Sequence, residues 1–286
     1  MKYGVIDIGS NSVRLMLSDG VNTLNKCVKT TRLAEGMGLE KIIKPEPMER
    51  TAQAVSTFYD YALKQKAGKI YVFATAAVRQ AINGLEFVER VKSMCGIDVD
   101  VVLGDMEARI GLVGALNGKD GGIIDVGGAS SEVTVSNCNK EIYGKSITIG
   151  AVAIKDVCGQ DLELAKEMIL NKIQEFGNIP FAEFYAIGGT ATSLAAIVQE
   201  LEPYDPKKTD GFVLDIDVLK ALTEKLYKLP VKERKKLKGL QPERAEVIAG
   251  GAYLLYAIAN KIGLDKIIVS EKDNLEGYLM LKMEKI

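Results

Sequence analysis

Histidine does not occur anywhere in the 286 residues of this chain. That gap excludes a Ser-His-Asp triad, a histidine-ligated metal and a phosphohistidine intermediate. Proton transfer must fall to Asp, Glu, Lys, Tyr or water. Any metal is then expected to be a hard cation on oxygen ligands, with Mg²⁺ the first choice. Cysteine is scarce: Cys27, Cys95, Cys138 and Cys158 form no Cys-x-x-Cys pair. Neither a zinc site nor a disulfide framework is indicated, and buried reduced thiols are expected. No apolar run approaches the about 18 residues of a membrane span. The first strand follows Met1-Lys2 directly, without a signal-peptide pattern. A soluble, cytoplasmic protein is expected, and low-complexity segments are missing. Lys and Arg total 37 against 38 Asp and Glu, a net charge of −1. The chain as a whole is therefore not built to attract polyanions, and neither nucleic acid nor membrane is expected as a partner. Any anion site must be a local arrangement of Arg, Lys and backbone N–H groups.

What the chain does contain is a repeat. Residues 5–12 read Val-Ile-Asp-Ile-Gly-Ser-Asn-Ser, and residues 123–130 read Ile-Ile-Asp-Val-Gly-Gly-Ala-Ser. Each is a β-branched run ending in Asp, one apolar residue, then Gly and small residues. The run favours a buried strand and the Gly segment a tight turn. Exposed amides beside a fixed carboxylate suit a phosphate with its metal ion. Two such turns imply an internal duplication that grips a phosphate chain from both sides.

The element pattern also restarts. Residues 3–8 and 12–18 read as a hairpin, followed by a helix marked by Val55, Phe58, Tyr59, Ala62 and Leu63. Lys69–Ala74 reads as a strand, 84–95 as a helix, Ile97–Leu103 as an alternating strand, and Gly104–Leu116 as a helix with Asp105 as its N-cap. Residues 121–126 and 131–136 form a second hairpin, with a third strand near 141–149 and a helix over 161–176. Phe184–Ile187 then leads into Gly188-Gly189-Thr190 and a helix, 242–262 reads as one long helix, Lys266–Ser270 as a strand and 274–284 as a closing helix. This predicts an α/β fold of two similar lobes, with the boundary in the turn-rich Asn117–Asp120.

Several residues stand out chemically. Asp7 and Asp125 interrupt apolar strands at matching positions, where an acid is costly unless paired or bound to metal. The bland alternative, an Asp capping its own turn, holds for one such residue better than for two. Glu132 returns beside Asp125 if the hairpin turns near Gly128–Ala129, so the two carboxylates suit one Mg²⁺. Arg14 and Arg79 offer rigid donor forks for phosphate oxygens. Glu107, in the first turn of its helix, suits either the helix dipole, worth roughly 0.3–1 kcal/mol, or a general base. Gly188-Gly189-Thr190-Ala191-Thr192 offers donors at a helix N-terminus or simply a tight turn. Gly144-Lys145-Ser146 is no P-loop, because Asn139 stands where Gly is required. The run Lys232-Glu233-Arg234-Lys235-Lys236-Leu237-Lys238 reads as a solvated helix face, or as a polyanion grip should it line a groove.

Taken together, these blocks resemble the exopolyphosphatase/guanosine pentaphosphate phosphatase (Ppx/GppA) family. The resemblance rests on Ile6–Leu15, Ala74–Arg79, Gly104–Arg109, Asp125–Glu132, Gly188–Thr192 and Pro242–Glu246, in order along nearly the whole chain. It implies two ribonuclease H-like lobes of the actin, sugar kinase and heat-shock ATPase type, with an interlobe cleft. The lobes would be 1–119, completed by a C-terminal helix at 272–286, and 120–271. It implies Mg²⁺-dependent (or Mn²⁺-dependent) release of terminal orthophosphate from inorganic polyphosphate, without a covalent intermediate. The near alternative is 5′-phosphate removal from guanosine pentaphosphate; phosphotransfer to ADP and a non-catalytic sensor are further alternatives. Glu107 takes the water-activating place. Asp125 and Glu132, with Asp7, take the metal places. Ser10, Asn11, Ser12, Arg14, Arg79, Gly127, Gly128, Ala129, Ser130, Gly189 and Thr190 take the phosphate-binding places. Two-lobed members often pair, so a homodimer is compatible. Three departures are evident: Ala129 where Gly is common, Met106 where Glu is common, and no further helical domain, which implies shorter substrates or weaker processivity.

Overall fold

The structure, a computed structural model, describes residues 1–37, 40–138 and 140–283. Residues 284–286, at the end of the expected closing segment, lie outside the described residues. Strands β1 (Tyr3–Ile8), β2 (Ser12–Ser18), β3 (Thr23–Thr30), β4 (Lys69–Ala74) and β5 (Asp100–Val101) form one sheet in the order β3-β2-β1-β4-β5. Strands β6 (Gly121–Val126), β7 (Ser131–Asn137), β8 (Lys140–Ile147), β9 (Phe184–Ile187), β10 (Val213–Asp215) and β11 (Lys266–Val269) form the second, in the order β10-β11-β9-β6-β7-β8. In each sheet an antiparallel meander occupies one side of the central strand, and a parallel partner, β4 or β9, takes the other. Both lobes are thus built on one α/β plan, ribonuclease H-like, with β10 added as an antiparallel edge.

Helices α1 (Pro45–Lys64), α2 (Ala76–Gln80) and α3 (Gly84–Cys95) belong to the first lobe, and α4 (Gly104–Leu116) leads from β5 to β6. The second lobe carries α5 (Ala151–Cys158), α6 (Leu162–Lys172), α7 (Gly188–Val198), α8 (Pro206–Thr209), α9 (Ile216–Lys228), α10 (Val231–Arg234) and α11 (Ile248–Ile262). The central strands are buried on both faces, which explains their unbroken apolar runs. The last helix, α12 (Asn274–Met283), returns to the first lobe. Leu275, Tyr278 and Leu279 pack there with Val5, Phe73 and Ile110, and the Tyr278 and Phe73 rings stack with centroids 4.3 Å apart. Against α4 the contact is backbone to backbone. A Cβ on Gly277 would lie 1.8 Å from the Ile110 carbonyl oxygen, and one on Gly114 would lie 2.0 Å from that of Asp273.

Several expectations are corrected. The strand expected over Ile97–Leu103 shortens to Asp100–Val101. The N-cap position of α4 is Leu103, without a side-chain cap, and Asp105 lies in the first turn. The helix expected over 242–262 is broken: a 3₁₀ turn at Pro242–Arg244 precedes α11, as a Pro-led segment allows. Cys138 is exposed rather than buried. In the basic run, Arg234 is fully buried, donating to the carbonyls of Leu226 (2.6 Å) and Ala245 (3.1 Å). Lys232, Lys235, Lys236 and Lys238 of the same run are exposed, as a solvated face requires, whereas Arg234 serves as a structural cross-link. Among the described residues no helix is long and apolar enough to cross a membrane.

Candidate active site

The two hairpin turns meet. The Gly9 N–H donates to the Ser12 carbonyl at 3.0 Å, and the Gly127 N–H donates to the Ser130 carbonyl at 3.0 Å. The same bond therefore closes both turns. The strand register matches as well: Asp7 faces Arg14 across β1–β2, and Asp125 faces Glu132 across β6–β7. Across the strands the copies differ in charge, with a basic partner in the first lobe and an acidic one in the second. The tips touch, since a Cβ on Gly128 would lie 2.7 Å from the Ser10 Cβ. Helix α5 holds the second tip from behind, its first amides donating to the carbonyls of Gly127 (2.8 Å) and Gly128 (2.9 Å). Nothing in the local sequence pattern marks α5.

Asp7, Ser10, Asn11, Ser12, Arg14, Glu107, Asp125, Gly127, Gly128, Ser130, Gly189 and Thr190 line one cleft. Arg79, Ala129 and Glu132 do not line it. Arg79 instead reaches Glu107, donating from Nη1 to Glu107 Oε2 at 2.8 Å and to the Val102 carbonyl at 2.8 Å. Ala129 stays in the turn beside the cleft. Thr190 uses its hydroxyl on the Val126 carbonyl at 2.8 Å, which ties α7 to β6. Gly188 has a φ of +79°, and a Cβ there would sit 2.6 Å from Asp125 Oδ1. Glycine is required at that position on both counts.

Buried acid dominates the electrostatics. Burial pushes the Glu107 carboxyl up, while the Arg79 guanidinium pulls it back. Burial also raises Asp125, with Arg14 opposing and Glu107 and Asp273 adding to the rise, to about 8. Glu132 is driven well above the carboxylate range by burial and then by Glu107 and Asp125, although Ser146 Oγ donates to it at 2.6 Å. Glu107, Asp125 and Glu132 lie close enough for their charges to oppose one another, a repulsion that a cation would relieve. Among the described residues no group of three or more acids or cysteines closes a cation site alone. A pair of carboxylates completed by water and phosphate oxygens is the set that suits Mg²⁺. Asp7 is placed differently. Its Oδ2 takes Arg14 Nε at 3.0 Å, and its Oδ1 is buried without a partner among the described residues.

Two residues that the sequence reading gives no role also line the cleft, Arg244 and Asn274. The broken helix brings Arg244 across Gly189, where a Cβ would lie 2.3 Å from its Nη1. Burial, then the neighbouring Arg14, lower its pKa to about 10, so it stays charged at neutral pH. Pro242 carried the signal, because a proline inside an apolar helical pattern marks a turn. Asn274 Nδ2 donates to Asp125 Oδ2 at 3.3 Å. Nothing local marked Asn274, because its partner lies 149 positions away.

The sequence model of the Ppx/GppA phosphatase family matches residues 12–286. A bifunctional 3-dehydroquinate synthase/phosphatase of Fusobacterium nucleatum is 30% identical over 98% of this chain and 46% of its own length. A guanosine-5′-triphosphate,3′-diphosphate pyrophosphatase of Photobacterium profundum is 27% identical over 99% of this chain and 60% of its own length. The chain therefore spans about half the length of these two relatives. Exopolyphosphatase 2 of Mycobacterium tuberculosis is 25% identical over 98% of both chains. The crystal structure of an Aquifex aeolicus Ppx/GppA member superposes with a TM-score of 0.80 at 27% identity, covering 100% of this chain and 98% of that one.

Proposed function

This chain belongs to the Ppx/GppA phosphatase family, and from that premise we propose that it is an exopolyphosphatase, hydrolysing the terminal phosphoanhydride of inorganic polyphosphate. The observation that carries this reading is the placement of Glu107. A buried carboxylate, held by Arg79, lines the cleft in which two duplicated Gly turns touch.

The reaction needs little covalent help from the protein, because phosphoryl transfer rests on positioning and charge neutralisation. The turn amides not used in closing the hairpins, those of Ser10, Asn11 and Gly128, hold the terminal phosphate oxygens, and Arg14 and Arg244 meet the charge of the chain. Glu107, with its raised pKa, takes a proton from the attacking water. The water oxygen bonds to the terminal phosphorus, and the bridging oxygen leaves with its electron pair on the shortened chain. Asp125, which lines the cleft, would hold Mg²⁺ with Glu132 beside it across the hairpin, and the ion when bound offsets the negative charge of the phosphates. Asp7 acts by orienting Arg14.

Polyphosphate is the leading substrate because a relative matched over nearly its whole length is an exopolyphosphatase. Guanosine pentaphosphate on the same site is the second reading, motivated by the Photobacterium relative. Phosphate release from polyphosphate of graded length, set against guanosine pentaphosphate with and without Mg²⁺, decides between them. The expected result is Mg²⁺-dependent release that is faster from polyphosphate. No release from either substrate would sink the hydrolase reading.

A further inference from the structure

Arg14 is held by two carboxylates rather than one, and the second comes from the far end of the chain. Its Nη1 pairs with Asp273 Oδ2 while Nε and Nη2 pair with Asp7. Asp273 is itself fixed. The Leu275 N–H donates to its Oδ1 at 3.0 Å, and its own N–H donates to Glu276 Oε2 at 3.1 Å, a reciprocal cap on α12. Lys26 Nζ lies 4.0 Å from Asp273 and 2.8 Å from Glu276, which balances the extra acid. The next residue reaches into the other lobe, with Asn274 donating to Asp125. Two consecutive side chains thus touch Arg14 of the first copy and Asp125 of the second. Both ride on the helix whose Gly277 sits directly on the backbone of α4, and α4 carries Glu107 in its first turn.

We propose that Asp273 and Asn274 form a positioning turn, which sets the Arg14 guanidinium and the Asp125 carboxylate relative to each other and to Glu107. Neither residue performs chemistry. Asp273 shares the charge of Arg14, so phosphate binds Arg14 less tightly than it would a free guanidinium, but meets it in a fixed orientation. This inference rests on the phosphate-cleft reading above. It adds that the grip of the cleft is set by how α12 seats on α4.

The test is Asp273→Asn, which removes the charge and keeps a side chain that caps helices equally well. Tripolyphosphate binding is measured by calorimetry in a Glu107→Gln background, and kcat in the otherwise unaltered enzyme. Binding is expected to tighten at least about threefold as Arg14 loses one competing carboxylate. The turnover number is expected to fall about tenfold as its orientation loosens. A merely structural loss would weaken both. In an Arg14→Gln background both changes should vanish, because the two residues act as one unit. Unchanged binding and turnover, or the same shifts persisting without Arg14, would overturn the proposal. Should Asp273→Asn fail to fold, Asp273→Glu serves instead: displaced by one methylene, the carboxylate should lower kcat with the Kd held, and unchanged kcat refutes the idea. If the unaltered enzyme releases no phosphate at all, the hydrolase reading falls, while the calorimetric comparison still decides the positioning claim.

Discussion

Arg79 donates to Glu107 across a 2.8 Å ion pair, joining two helices that begin where β4 and β5 end. Its other hydrogen bond, to the Val102 carbonyl, fixes the guanidinium in place. Arg79 therefore serves Glu107 first, whereas its sequence position reads as a phosphate clamp.

Replacing Arg79 with Gln should lower kcat about 10- to 100-fold, because an oriented base loses its partner. The direction of the pH effect follows from the pair. Arg79 lowers the Glu107 pKa, so its loss raises that pKa, and a base must be ionised to act. The rising limb of kcat against pH should move to higher pH. A limb that stays put would separate Arg79 from Glu107.

Gly189→Ala should mimic Arg244→Gln. The added methyl would occupy the space of the guanidinium, 2.3 Å from Nη1, and push it from the cleft. The KM for polyphosphate should rise about tenfold in each, the scale of one lost charge-assisted contact. If Gly189→Ala alone is silent, Arg244 does not bind from this position.

Much of this arrangement is legible in the sequence. The duplicated strand–turn pattern marks both hairpins, and Gly188-Gly189 marks the start of α7, because apolar period and glycine act locally. What escapes is long-range or masked. β3 is an exposed edge strand without clean alternation. Arg244 depends on a helix break inside an otherwise apolar run, and Asp273 and Asn274 gain meaning only once α12 returns across α4. Pairings such as Arg14–Asp273, 259 residues apart, carry no local signature.

The contact between α4 and α12 predicts a stability effect. Gly277→Ala would press a methyl on the Ile110 carbonyl oxygen at 1.8 Å. The backbones must then part, at a cost of roughly 1–3 kcal/mol for overpacking. Urea unfolding should show that loss, with activity falling further than the unfolded fraction explains, since Asp273 and Asn274 shift with the helix. A fully active, equally stable variant would refute this contact.

Cation dependence should follow the acids. Asp125 has a folded-state pKa of about 8, raised from 3.8. Its neutral form is favoured in the folded state, so this contribution to stability is complete below about pH 4 and is lost as pH rises towards about 8. Glu132 changes in the same direction. With a chelator present, Tm should fall as pH rises from 5 to 8. Mg²⁺, which binds the ionised acids, should restore more of it at pH 8 than at pH 5. Equal gains at both pH values would argue that the cation binds elsewhere.

The central claim is that the paired turns hold the phosphate chain and Glu107 cuts it. Glu107→Gln, assayed for tripolyphosphate binding and for orthophosphate release on the same preparation, tests this most directly. Binding should stay within about threefold of the unaltered protein while release falls at least about 10²-fold, the usual scale of a lost general base. Release that survives the substitution, or binding lost together with it, would contradict the account.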